Sequence, residues 1–177
     1  MALRFQTPPE KAVRSINAAL DALKSTPIPG FGIEGGLALA YPHVIYHLGL
    51  DDLAGGKGLD AARPVSWGHI AGPLLIETKF DTHELAQLNQ GPFGVGIANS
   101  IARAEGQAGD YEVNVLRIPG IYLIALWLKG NDDALVPVTP APREFEEDRF
   151  YRAAEFMGIA QRLAQTRLAF DNSPQER

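Results

Sequence analysis

Apolar side chains are densest from Tyr111 to Gly130, YEVNVLRIPGIYLIALWLKG, and the pattern there predicts the centre of a β-sheet. Val113, Val115, Ile118, Ile121, Ile124 and Trp127 are β-branched or aromatic and suit a pleated, buried surface. From Ile121 to Leu128 the apolar run has no break, which predicts a strand covered on both faces. Arg117, Pro119 and Gly120 interrupt the stretch far short of the roughly 20 apolar residues that a membrane-spanning helix needs. Pro119-Gly120 reads either as a turn between two strands or as a kink in one long strand. After the polar turn Asn131-Asp132-Asp133, residues Ala134-Leu135-Val136-Pro137-Val138 predict a short returning strand. Pro137 has no N–H to donate, which marks that strand as an edge.

Helical spacing appears at the two chain ends and once between them. Thr7-Pro8-Pro9-Glu10 has the form of a capping box, and Val13, Ile16, Leu20 and Leu23 then share one face of a helix running to about Lys24. Thr26-Pro27-Ile28-Pro29-Gly30 stops it. Residues 37–47 have strand character, and Val65 to Phe80 predicts two short strands broken at Gly72-Pro73. Residues 81–90 are open to two readings: a capping box at Asp81-Glu84 leading a short helix through Leu85 and Leu88, or a continuing hairpin. A middle helix is predicted from Ile97 to about Gln107. A final helix is predicted to open on the acidic run Glu144 to Asp148 and to reach Phe170, with Phe150, Ala153, Met157, Ala160, Ala164 and Leu168 near one face and Asp148 four residues before Arg152. The expectation is one α+β domain over residues 1–177, ordered from about 7 to 170. It has an antiparallel or mixed sheet of about five or six strands, with an N-terminal, a middle and a long C-terminal helix. A Gly/Asp-rich loop at 49–64 and an unstructured tail at 171–177 complete it.

Composition narrows the function classes. A chain of 177 residues with 46% hydrophobic and 21% charged residues is ordinary for a globular domain. Its net charge of −5 offers no basic footprint for nucleic acid or an anionic membrane surface. With no cysteine, disulfides, thiolate metal sites and cysteine nucleophiles are excluded. MALRFQTPPEK has no apolar core of a signal peptide, so a cytoplasmic protein is expected.

Candidate chemistry is scattered. GFGIEG at 30–35 matches a dinucleotide-binding glycine pattern, but a Pro-rich stop precedes it where a strand should. His43 and His47 have the i,i+4 spacing of a helical metal pair, yet in a strand they would stand about 13 Å apart. The repeated Gly-Leu-Asp of 49–51 and 58–60 resembles in form a calcium-binding nonapeptide, with two units where a stack is needed. His69, Glu77, Asp81 and His83 form the richest local set of metal or acid–base groups. Gly91, Gly94 and Gly96 lead into the middle helix and, with Arg103 or Arg117, would suit an anion. Leu135, Val136, Val138 and Trp127 are the candidate interface on the edge strand. No nucleophile elbow, HExxH or Walker pattern is present, and no cofactor is predicted. The leading expectation is therefore a non-enzymatic interaction domain, a homo-oligomer or partner of another protein. The alternative is a small-ligand or metal-binding, hydrolase-like enzyme built on the His/carboxylate set or the glycine loop.

Overall fold

The computed structural model of the chain describes residues 2–30, 37–107 and 109–171. All but the first glycine of GFGIEG, and the tail from 172 onward, lie outside the described residues. Nine strands form one mixed sheet. In chain order they are β1 (Ala2–Arg4), β2 (Ala40–His47), β3 (Arg63–Ala71), β4 (Leu74–Lys79), β5 (Leu85–Gln90), β6 (Asp110–Ile118), β7 (Leu123–Lys129), β8 (Ala134–Pro137) and β9 (Tyr151–Arg152). Across the sheet the order is β5-β4-β3-β2-β6-β7-β8-β9. β1 pairs with the first residues of β6 and β2 with the later ones, so β1 and β2 share a lane. Both contacts are parallel, and the remaining pairs are antiparallel. The strand count exceeds the five or six expected because β1 and β9 have three and two residues, too few for a period to register in the sequence.

Four helices cover the sheet: α1 (Glu10–Ser25), α2 (Leu50–Ala54), α3 (Pro92–Ala104) and α4 (Ala153–Asp171). The cap of α1 is Pro9, with no side-chain bond, so the Thr7 capping box does not form. Its buried stripe is Ala12, Ile16, Leu20 and Leu23. Helix α3 starts five residues earlier than its apolar spacing predicts. Pro92 sits at its first position, where a missing N–H costs nothing and φ is preset. Helix α4 does not include the acidic run. Asp148 adopts a left-handed backbone (φ 62°) and pairs with Arg103 instead of Arg152. The 49–64 segment holds α2 and a 3₁₀ turn at Leu59–Ala61, and Asp52, just after the first Gly-Leu-Asp unit, pairs with Lys57 at 2.7 Å.

Strand register assigns the two faces. On one, Leu116, Ile118, Leu123, Ala125, Trp127 and Leu135 pack under Phe156, Ala160 and Ala164 of α4, while Ala71, Leu74 and Ile76 pack under Ile16 and Leu20 of α1. On the other, Ile45, Leu75, Val113, Val115, Leu126 and Val136 pack against Ile97, Ile101 and Ala104 of α3. β7 is buried on both sides, which is why its sequence is unbroken. At roughly 1.5–3 kcal/mol for each large buried side chain, this centre anchors the molecule.

Both open readings resolve. Pro119–Ile121 is a 3₁₀ turn, and Tyr122 follows at φ 54°, sending the chain back as β7 antiparallel to β6. Residues 85–90 form a strand paired to β4. A register shift between Glu77 and Thr78 leaves Leu85 opposite Thr78 and Leu88 opposite Ile76. The bulge therefore brings two leucines three residues apart onto one face, a spacing that imitates a helix.

Candidate functional site

The face that carries α3 also carries a polar cluster. Register sets His43 of β2, Gly68 of β3, Glu77 of β4 and Gln87 of β5 in one row. Arg117 reaches this row from β6, past β2 and β3. Three lanes, about 14 Å, separate the two strands, and the long Arg117 and Glu77 side chains meet across them. Glu77 accepts from Arg117 Nη2 at 2.6 Å and Nη1 at 3.3 Å, from Gln87 Nε2 at 2.6 Å and from Ser66 Oγ at 2.9 Å. Burial alone would raise its pKa, but the Arg117 bonds and charge, with Gln87 and Ser66, hold it below the usual carboxylate value. A carboxylate with four donors stays ionised and is an anchor.

His43 packs the Nε2 end of its ring against Gly68, where any Cβ would overlap the imidazole. Its Nδ1 is 2.6 Å from the Tyr41 carbonyl oxygen. A carbonyl only accepts, so Nδ1 carries the proton and Nε2 presents a bare lone pair. Nε2 is buried with no hydrogen-bond partner. Burial pushes the His43 pKa down to about 4, against the opposing pull of the Tyr41 bond and the Glu77 charge. His47, on the same face, is lowered by burial and by Arg117.

The sequence-based sets come apart. Of His69, Glu77, Asp81 and His83, only Glu77 joins this cluster. His69 faces the opposite side of the sheet with both ring nitrogens buried and unpartnered, its pKa pushed to about 4 by burial and then by His43. Asp81 and His83 belong to the β4–β5 turn, where Asp81 is exposed and His83 has φ 61°. Among the described residues no group of three or more His, Asp or Glu is placed to hold a metal ion.

The anion set divides likewise. Gly91, Gly94 and Gly96 do surround the start of α3, beside a cleft also lined by Asn99 and Thr139. Gly94 packs on the backbone of Pro73 and Leu75, and Gly96 on Val138, so both serve close helix–sheet approach. Arg103 is engaged by Asp148 at the other end of the helix, and Arg117 by Glu77.

The interface set is corrected. Leu135, Val136, Val138 and Trp127 are all buried, the indole N–H of Trp127 donates to Asp133 at 2.9 Å, and β9 closes the outer side of β8 at Ala134 and Leu135. An unbroken apolar strand belongs inside, not at a surface.

Two other surfaces stand out. An apolar groove of about 410 Å³ lies between Tyr122 and Phe170, which are 74% and 76% exposed. Arg167 sits over the Tyr122 ring. At the far edge of the sheet, β5 reads Leu-Ala-Gln-Leu-Asn-Gln. It has neither charge nor proline, most of it is exposed, and no described strand pairs with its outer side. Edges usually carry lysine, proline or cover that prevents pairing. The signal was in the sequence as a charge-free stretch, hidden by its weak β propensity and its bulge. No family model matches the chain, and neither curated proteins nor solved structures include a match.

Proposed function

We propose that this protein is a non-enzymatic interaction domain that works at β5, where another polypeptide adds a strand to its sheet. The observation that carries this reading is an uncharged, proline-free edge strand, six residues long, with Leu85 40% exposed. Strand addition satisfies the outward N–H and C=O groups of such an edge, and alternate side chains then select the partner. The net charge of −5 resides elsewhere in the chain, so an approaching strand meets no charge on β5 itself. The test is a photo-crosslinking amino acid in place of Leu85, expressed in the native host, with the same substitution at exposed Glu147 as control. A defined adduct to a second polypeptide from position 85 is expected. Equal, diffuse labelling from both positions would sink the reading.

A further inference from the structure

We infer that the strand added at β5 comes from a second copy of this chain, paired antiparallel about a dyad at Leu88. This rests on the strand-addition reading above and names its partner. The argument is self-complementarity. In an antiparallel pair, residues opposite one another share a face, so a dyad at Leu88 sets Leu88 against Leu88 and Gln87 against Asn89 of the second copy. Register with β4 puts Leu88 on the α1 face, where it packs with Ile16, Leu20 and Ile76. Across the dyad this apolar cluster would continue into its copy without a polar break. Gln87 and Asn89 point to the other face, opposite Glu77 and Leu75. Side-chain amides supply both donor and acceptor, so the two Gln87–Asn89 pairs can bond reciprocally.

Charge agrees with the same register. Four residues before the dyad stands Glu84, and four after it stands Pro92, the first residue of α3. The register brings Glu84 of the second copy level with the start of α3. Gly91 provides no side-chain cap there, so the positive end of the helix dipole would meet Glu84, which in its own copy also pairs with Lys79 at 3.5 Å. No like charges face one another along the five positions, 86–90, where the strand pairs with its copy, since β5 has none. A one-residue slip would turn the Leu88 face of one copy toward the amide face of the other, which disfavours it.

The chain has no cysteine, so single cysteines report position directly. Native mass spectrometry of the purified protein is expected to give twice the 19.2 kDa chain mass. Leu85→Lys with Asn89→Lys should return the monomer with an unchanged circular dichroism spectrum. Under mild oxidation, Leu88→Cys should form a disulfide dimer. A mixture of Gln87→Cys and Asn89→Cys should cross-link several-fold faster than either alone, whereas Tyr122→Cys should not. A monomer that still gives a Leu85 adduct in the host overturns the second copy while leaving strand addition standing. A dimer indifferent to the lysine pair, with Tyr122→Cys cross-linking instead, overturns both and moves the interface to the α4 groove.

Discussion

A histidine without room to take a proton sets the behaviour of this protein in acid. His43 is wholly buried, and its pKa falls from 6.5 to about 4 on folding, so the unfolded chain binds that proton first. Stability is therefore full above pH 6.5 and is lost as pH falls toward 4, by an amount on the order of 3 kcal/mol for this one group. His69 adds a loss in the same window and Glu77, also lowered, a further one below its ordinary value of 4.5. Urea midpoints at pH 7 and pH 5 should differ clearly in the native chain, and His43→Asn should shrink that difference, with His69 keeping the rest. A midpoint independent of pH would contradict the buried neutral imidazole. The Glu77–Arg117 pair makes a sharper case. Arg117→Met leaves a buried carboxylate with only two donors and should cost roughly 3–5 kcal/mol, while Glu77→Gln in the same chain should recover much of it, because the penalty is the orphaned charge. Thermal melts of the single and double variants decide this. The sequence offered both residues, but in separate sets. Forty positions and two intervening strands divide them, and only the strand order and the reach of both side chains bring them together. Nothing in residue spacing says that Gly68 makes room for an imidazole.

At the scale of elements, a long period was legible and a short or broken one was not. α1, α3, α4 and the β6–β7 centre were readable because three or more residues of each repeat on a buried face. β5 was ambiguous because one bulge at Ala86 turned a period of two into an apparent three. The acidic run before α4 looked helical by charge alone, yet Phe145 is buried there against Tyr151 and Phe156, and tertiary packing holds the segment out of the helix. The β6–β7 connection carries a testable strain. Tyr122 holds φ 54° while 74% exposed, so little packing compensates a backbone state that costs an L-residue about 1–2 kcal/mol. Its contact with Arg167 is exposed and returns about 0.5–1 kcal/mol. Glycine has no such backbone cost. Tyr122→Gly is therefore expected to leave stability unchanged or raise it by up to about 1 kcal/mol in urea denaturation. A loss beyond that would mean the ring is held by something more than Arg167.

For the whole molecule, the two sheet edges are unlike, and the difference should be visible without any partner in hand. One edge ends in Pro137 and a two-residue strand leading directly into α4, so it is blunted twice. The other ends in six uncharged residues flanked by α1 and the start of α3. If a second copy completes that edge, folding and association are linked, and the melting temperature must rise with protein concentration. A tenfold increase adds about 1.4 kcal/mol per dimer, or about 0.7 kcal/mol per chain. For a domain of this size, that corresponds to roughly 2 °C. The Leu85→Lys, Asn89→Lys chain should melt at one temperature across the same range, because the new charges at position 89 stand diagonally across the dyad, within reach of each other, and those at position 85 add to the positive charge of the paired edge. Salt separates this from nonspecific clustering. Raising ionic strength should restore part of the concentration dependence in the lysine variant by screening those charges, and should leave the native chain nearly unaffected, since its paired strand carries none. A native melting temperature flat across a hundredfold dilution would leave the β5 edge to a different chain.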